Sequence, residues 1–322
     1  MTVTSPYPLG RRERDQWILA RRPDRNAVDP WLPYAYFVED ERSGDGESVP
    51  VATIFLTNRE CPWRCLMCDL WRNTLTETVP AGAIAHQLEF ALSRLPPARH
   101  LKLYNSGSFF DPHAIPLDEY AAIAEKANRF EHVIVESHPS FIGENCFRFR
   151  DLLTGSFEVA MGLETAHPEA LARLNKGMTL EQFSAASARL KQNEIGLRVF
   201  VLVKPPFIEE GEAVYWAWRS MDFAFDCGAS VVTLIPTRPG NGAVDALAEA
   251  GQFSRPNLKT LEAAFAYGIN TKRGRVFADT WDLVQFSECD KCYPMREERM
   301  AQMNLLQELL PSVECSACGA RI

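Results

Sequence analysis

The chain has no apolar run near the length of about 18 residues that a membrane-spanning helix needs. Residues 1–8 have neither a basic segment nor an apolar core, so we expect no signal peptide and a cytoplasmic protein. There is no internal repeat, no low-complexity tract and no basic excess, because the net charge is −8. This balance argues against a globally basic nucleic-acid binder, but it leaves a local patch open in the arginine-rich residues 11–25, whose mixed charge is typical of a solvated helix face.

Nine cysteines in 322 residues are not the framework of a small disulfide-rich protein. In a reducing compartment, clustered cysteines indicate metal binding. The length suits one large domain with an appendage. We predict an N-terminal extension over residues 1–50, a central domain over 51–270, and a small metal-binding module over 271–322.

Short apolar runs alternate with segments of helical period from residue 51 onward. The runs span 51–57, 100–104, 132–136, 157–163, 197–203 and 230–235. The helical segments span about 80–95, 117–129, 143–153, 167–192, 209–226, 256–268 and 295–310, with a helix restart at Thr179 that has the form of a capping box. Six such units predict an α/β fold, a partial (βα)6 barrel of TIM type or an open sheet, with functional residues at the carboxyl ends of the strands.

Three cysteines follow the first apolar run at close spacing. Cys61, Cys65 and Cys68 lie four and then three positions apart, and no histidine in this loop offers a fourth zinc ligand. Cluster thiolates in ordinary electron carriers come in fours. Three thiolates on a cubane cluster leave one iron open, so this set favours a cluster that binds a ligand over a zinc knuckle or three isolated buried thiols.

Two further cysteine pairs lie near the end of the chain. Cys289 and Cys292 form one CxxC pair, Cys315 and Cys318 form another, and 22 residues separate the pairs. Four thiolates complete a closed site, which predicts structural zinc, with an auxiliary iron–sulfur cluster as the alternative.

The CxxxCxxC spacing of Cys61, Cys65 and Cys68 resembles the signature of the radical S-adenosylmethionine (SAM) superfamily, with Met67 where an aromatic residue is common. Residues 136–139, 162–165, 175–177 and 204–207, in this order, resemble the branch related to the catalytic subunit of Elongator. Most similar within that branch are the radical SAM subunit of archaeosine synthase and its uncharacterised bacterial relatives.

That resemblance implies an oxygen-sensitive enzyme with a [4Fe–4S] cluster and SAM. The reduced cluster cleaves SAM to a 5′-deoxyadenosyl radical, which abstracts a substrate hydrogen, and a reductase, flavodoxin or ferredoxin supplies the electron. The resemblance also implies a 7-deazaguanine-type nucleobase in tRNA as substrate, and a partner protein. A small metabolite or a peptide stays open as substrate, and a non-catalytic zinc protein that binds RNA or a protein stays open as another class of function.

The resemblance also assigns cofactor contacts to the other strand ends. We expect Asn105, Ser106 and Gly107 to meet the SAM amino group through their backbone, although they depart from the usual glycine- and glutamate-containing turn. Glu136 and Glu164 end the third and fourth runs, and a buried carboxylate there needs a partner such as a ribose hydroxyl.

Two cations of the fifth run complete the expected SAM contacts. Arg198 opens this run, and Lys204 ends it in a position to hold a SAM carboxylate or an anionic substrate group. A solvated lysine before a proline turn is the alternative for Lys204. Asn175, Lys176 and Gly177 are interpreted only as the end of a helix.

Overall fold

The computed structural model describes residues 5–319; residues 1–4 of the expected N-terminal extension and 320–322 of the expected C-terminal module lie outside the described residues. The strands are β1 Ala35–Arg42, β2 Ser48–Phe55, β3 His100–Tyr104, β4 His132–Glu136, β5 Ser156–Glu164, β6 Gly196–Val203, β7 Val231–Pro236 and β8 Arg275–Ala278. The helices are α1 Arg11–Leu19, α2 Ala83–Leu92, α3 Tyr120–Ala127, α4 Glu144–Asp151, α5 Pro168–Arg173, α6 Leu180–Gln192, α7 Glu210–Asp226, α8 Ala243–Glu249, α9 Leu258–Thr271 and α10 Tyr293–Leu306.

All eight strands belong to one sheet, in which they lie in chain order. Strand β1 pairs with β2 in the antiparallel direction, and β2 to β8 are parallel. The six predicted runs are β2 to β7, and the sheet curls into an incomplete barrel, which confirms the predicted fold. Strands β1 and β8 were not predicted, because the second half of β1 is charged and β8 has only four residues. The boundaries of the extension and the module stay predictions.

The strands bury one face under the helices and turn the other toward the inside of the barrel. In β5 the helix-facing residues Phe157, Val159, Met161 and Leu163 belong to the main hydrophobic core. Because side chains alternate along a strand, Glu158, Ala160, Gly162 and Glu164 point inward. The two ends of the barrel interior differ: charged residues such as Glu158 lie at the amino end, and a cavity opens at the carboxyl end.

Helix α10 packs against both edge strands of the open sheet. The side-chain amide of Asn304 accepts from the Ala278 backbone N–H at 2.8 Å and donates to the Ala278 carbonyl at 2.9 Å. Gln307 makes the same pair of bonds with Val276, both at 2.8 Å. These amides replace a neighbouring strand along β8, and they cover an edge that would otherwise expose unpaired backbone groups.

The N-terminal segment packs over the cysteine loop. Tyr7 and Ile18 form a second small core with Leu66 of that loop, Leu174 and Leu247. Helix α1 therefore buries Ile18, while Arg11 and Arg12 stay exposed, as the mixed charge of this segment predicts. The capping box at Thr179 is confirmed at the start of α6. None of the helices within residues 5–319 is long and apolar enough to cross a bilayer.

Candidate functional site

A cavity of about 330 Å³ opens at the carboxyl ends of the parallel strands. Its volume lies in the range of small-molecule sites. The cysteine loop forms one wall, and the turns after β3 to β5 and β7 form the others. Of the predicted site residues, the cavity wall contains Cys61, Cys65, Cys68, Ser106, Gly107, Glu136 and Glu164.

The three loop thiols face this cavity from one side. Burial raises the pKa of each of Cys61, Cys65 and Cys68 to about 12, so a bound metal would be needed to hold them as thiolates. Within residues 5–319, the sets of three or more His, Cys, Asp or Glu residues whose ligand atoms all lie within 4.8 Å of one another do not include these three cysteines. Three thiolates on one ion must lie that close, whereas in a cubane cluster each binds a different iron. The donor set therefore fits a cluster better than a single zinc ion.

Hydrogen bonds to neighbouring elements hold the backbone of the cysteine loop. The Asn241 side chain, just before α8, donates to the carbonyls of Leu66 at 2.7 Å and Cys68 at 3.2 Å. Asn175 donates to the Arg64 carbonyl at 2.8 Å, and the Leu66 N–H donates to the carbonyl of Leu174 at 2.9 Å. These contacts come from two distant parts of the chain, so the tertiary fold sets the direction of the thiols.

Glu136 holds the turn that follows β3. Its Oε1 accepts from the backbone N–H of Asn105 at 2.5 Å and of Gly107 at 3.4 Å. Burial raises the pKa of Glu136, and these N–H groups oppose that rise. An added Cβ at Gly107 would lie 3.3 Å from the Cβ of Cys61, so a glycine lets this turn approach the cysteine loop. Asn105 is buried beside the cavity but does not line it.

Glu164 and Lys176 form a buried ion pair on the cavity wall, with Lys176 Nζ 2.6 Å from Glu164 Oε1. Burial acts to lower the pKa of Lys176, but the Glu164 carboxylate and the nearby thiols raise it above its ordinary value. An added Cβ at Gly162 would lie 2.6 Å from Lys176 Nζ, so the glycine leaves room for the ion pair in its present position. Sequence reasoning missed Lys176, although its motif was recognised, because it was interpreted only as a helix end.

A stack of two rings joins the cysteine loop to the turn after β4. The rings of Trp63 and His138 lie 3.8 Å apart and nearly parallel, at 16°. The Ser140 N–H donates to His138 Nδ1 at 3.2 Å, so the other ring nitrogen carries the proton and donates to the Lys176 carbonyl at 3.1 Å. Burial lowers the pKa of His138 to about 3, which keeps the ring neutral.

The structure does not bring Arg198 or Lys204 to the cavity wall. Arg198 lies near the amino end of β6, where it pairs with Glu158 at 2.7 Å and Glu41 at 2.6 Å. Lys204 donates to the Ser254 carbonyl at 2.8 Å and lies 3.0 Å from Glu210, so it fastens the segment before α9. Both cations already have partners.

The tail cysteines form a compact group on the edge of the barrel. The sulfurs of Cys289, Cys292, Cys315 and Cys318 all lie within 4.8 Å of one another. Cys292 Sγ and Cys318 Sγ are 3.8 Å apart. Zn–S bonds of about 2.3 Å in a tetrahedron imply sulfur separations of about 3.8 Å, so this group could bind a metal ion.

Comparisons with known proteins give two kinds of sequence relative, and no protein-family model matches the chain. A Methanocaldococcus jannaschii protein of uncharacterised function is 26% identical over 323 residues, which cover 90% of this chain and 86% of that protein. The archaeosine synthase subunit beta of Methanosarcina acetivorans is 28% identical over 229 residues, 66% of this chain and 65% of that protein. The subunit of the same name from Thermococcus kodakarensis is 27% identical over 38% of this chain and 39% of its own length.

Solved structures give weaker similarities. The Elp3 of Methanocaldococcus infernus, determined without its N-terminus, has a TM-score of 0.49 at 12% identity, over 69% of this chain and 58% of that chain. Methylornithine synthase has a TM-score of 0.48 at 13% identity, over 69% and 64%. Both TM-scores lie below 0.5, so the fold of this chain is assigned from its own strand order and not from these similarities.

Proposed function

We propose that this chain is a member of the radical SAM superfamily, in the branch of the Elongator catalytic subunit, and that Cys61, Cys65 and Cys68 bind a [4Fe–4S] cluster whose fourth iron takes SAM. One observation carries the proposal: three thiols of a single loop line the same cavity as the turns after β3, β4 and β5. When bound, the cluster and SAM supply a carbon-centred radical that abstracts hydrogen from a substrate.

The wall around the thiols offers a matching set of groups for SAM. Lys176 is the cation that would hold the carboxylate, in place of the Lys204 expected from sequence, because Lys176 lines the cavity. Glu164 would accept from ribose hydroxyls, and the turn around Gly107, held by Glu136, would meet the amino group. Phe200 and Leu202 form an apolar part of the wall that would keep water from the reacting atoms.

The proposed substrate is a nucleobase of the 7-deazaguanine type in tRNA. Sequence similarity to proteins named archaeosine synthase subunit beta supports this substrate, and it also supports a partner subunit. A reductase, flavodoxin or ferredoxin would supply the electron. In a strain that lacks the gene, mass spectrometry of hydrolysed tRNA should show one modified nucleoside lost or its precursor accumulated. Unchanged nucleosides with an altered metabolite pool would favour a small-molecule substrate instead.

The proposed tail metal is zinc, in a structural role. Four thiolates leave no open position, and the sulfur separation of 3.8 Å supports a single tetrahedral ion. Elemental analysis of the purified protein should give about one zinc per chain, and a Cys289→Ser variant should lose it while the cluster iron remains. Iron and sulfide at this site, in place of zinc, would identify an auxiliary cluster.

The cluster proposal is tested by anaerobic reconstitution with iron and sulfide. The protein should become brown and form 5′-deoxyadenosine from SAM after reduction. Cys65→Ala should lose the visible absorption and the product, whereas Cys227→Ala, a change at the end of α7, should retain both. A colourless wild-type protein that does not cleave SAM after reconstitution would refute the proposal.

The role of Lys176 is tested separately by SAM binding. Lys176→Met removes a cation from the cavity wall, and loss of one charge-assisted contact should weaken SAM binding about tenfold. Equilibrium dialysis on the reconstituted protein measures the dissociation constant. Lys191→Met, on the exposed surface of α6, is the matched control and should bind SAM like the wild type. Equal SAM affinity in the two variants would show that Lys176 does not contribute to SAM binding.

A further inference from the structure

Six aromatic side chains line the open, carboxyl end of the barrel next to the cavity. We call them the aromatic wall: Tyr34, Phe37, Phe55, Tyr104, Phe200 and Trp281. Phe55, at the end of β2, is its centre. The centroid of its ring lies 5.4 Å from that of Tyr34, 5.8 Å from that of Tyr104 and 6.2 Å from that of Trp281.

The rings of the aromatic wall remain accessible to solvent, unlike those of the core. Trp281 is 57% exposed and the other five are half-buried, whereas core rings such as Phe109 and Phe149 are fully buried. Exposed apolar surface that is contiguous and rimmed by polar groups is a mark of a binding site. The barrel therefore leaves a surface of aromatic rings uncovered on its inner side.

This surface is continuous with the proposed SAM site through three contacts. Phe200 lines the cavity itself, and its ring centroid is 6.1 Å from that of Tyr104. The Tyr34 hydroxyl lies 2.9 Å from Oγ of Ser106, a cavity residue. Arg238 also lines the cavity, and its guanidinium donates to the carbonyl of Trp281. A ligand on the aromatic wall would thus lie next to the place where the radical is proposed to form.

We infer that the aromatic wall is the substrate site, and that it takes a planar heteroaromatic base stacked on Trp281 and Phe55. This inference rests on the proposed function and adds the residues that would recognise its substrate. Proteins bind unstacked bases by placing them on aromatic rings and by hydrogen bonds to the base edge. Arg238 and Asp279, whose charged groups are 2.7 Å apart, offer such a donor and acceptor at the rim.

A fluorescent base tests the inference, because the emission of 2-aminopurine falls when it stacks on another ring. Two probes distinguish the sources of the base: 2-aminopurine riboside, and an RNA hairpin with 2-aminopurine in its loop. Each is titrated into anaerobically reconstituted protein with SAM present. Wild-type protein should quench at least one probe, and quenching of the hairpin alone would identify a base carried by RNA.

Trp281 is exposed, so its replacement should not disturb folding. Trp281→Ala should weaken probe binding about tenfold, because it removes a ring on which the base stacks. Trp281→Phe should retain most of the affinity. Tyr215→Ala, which removes a ring that is 53% exposed on α7, is the matched control and should bind like the wild type.

Three results would overturn the inference: no quenching of either probe, wild-type affinity in Trp281→Ala, or an equal loss in Tyr215→Ala. SAM cleavage by the wild-type protein is measured in the same preparation. Cleavage of SAM without binding of either probe would refute only the inference that the aromatic wall is the substrate site, and it would leave the proposed radical chemistry intact. Absence of cleavage refutes the proposed function itself.

Discussion

At the scale of single residues, small side chains decide how closely the walls of the site approach one another. Gly107 lets the turn after β3 approach Cys61, and Gly162 leaves room for the ion pair of Glu164 and Lys176. Glu164 has a φ of +67°, in the left-handed region that non-glycine residues rarely adopt. Such backbone strain persists where the surroundings hold it, and it often occurs at functional sites.

Gly162→Ala should weaken SAM binding with little change in stability. The new methyl group would meet Glu164 Oε1 and Lys176 Nζ, which are the ends of flexible side chains and can move apart without disturbing the strand. We expect equilibrium dialysis to give a dissociation constant for SAM that is about tenfold higher, and thermal unfolding to give an unchanged midpoint. Gly211→Ala, near the start of α7, has nothing within 4 Å of the added Cβ and serves as the control. Unaltered SAM affinity in Gly162→Ala would show that the ion pair does not contribute to binding.

At the scale of elements, helix α10 takes the place of the missing strand beside β8. The amides of Asn304 in α10 and of Gln307 at its C-cap bond to the backbone of Ala278 and Val276, and Cys292 of the four-cysteine group directly precedes the first turn of the helix. The buried pair of Arg296 and Glu262, at 2.6 Å, fixes the same helix to α9. Helix α10 therefore supports the open side of the barrel, next to the four-cysteine group.

Asn304→Ala should loosen the edge of the sheet. It leaves the N–H and carbonyl of Ala278 without these partners, and an unsatisfied buried backbone group costs about 1–3 kcal/mol. Native-state hydrogen exchange should show the Ala278 amide exchanging about tenfold faster or more. Gln302→Ala changes an exposed amide on the same helix that bonds to Glu298, and exchange at Ala278 should stay at the wild-type rate. Equal exchange in both variants would argue against the edge-covering role.

At the scale of the whole molecule, the two ends of the barrel interior differ in their charges. At the amino end, Glu41 and Glu158 pair with Arg198, and Lys102 lies 2.5 Å from Glu41. Burial acts to raise the pKa of each of these carboxyls, but Arg198 together with the other nearby cations, Lys102 at Glu41 and Arg275 at Glu158, holds the pKa below the usual range. This end is filled and its charges are paired, so the other end is left to bind ligands.

Acidification should destabilise the fold through His132 before these carboxyls titrate. Burial lowers the pKa of His132 to about 4, whereas the unfolded imidazole titrates near 6.5. Between these values the unfolded chain binds more protons, so the free energy of unfolding falls as pH decreases, by at most about 1.4 kcal/mol per pH unit for this group. His132→Gln should reduce that slope in urea unfolding between pH 6.5 and 4.5.

The slope should decrease in His132→Gln but not vanish. Burial also lowers the pKa of His100, whose ring lies 5.2 Å from that of His132 and which titrates in the same direction. His113→Gln alters an exposed histidine and should keep the wild-type slope. A His132→Gln slope equal to that of the wild type would contradict the assignment.

Much of the fold was predictable because β2 to β7 are apolar runs bounded by helical segments. Glu136 and Glu164 line the cavity because the carboxyl ends of parallel strands meet at one edge, and their contact with SAM stays a prediction. Arg198 does not line the cavity, because it is the third residue of β6 and lies at the opposite end of the barrel. The charged strand β1 resembled an irregular segment, and only its pairing with β2 makes it a strand.

The sequence by itself determined the two sets of clustered cysteines, the parallel units and the face of each strand, because spacing and periodicity are local properties. Only the tertiary structure decided which groups meet across the barrel. It brought Lys176 to Glu164, and it placed Trp281 within 6.2 Å of Phe55, although 226 positions separate these two rings in the chain. Such contacts depend on how distant segments pack, and no local pattern encodes them.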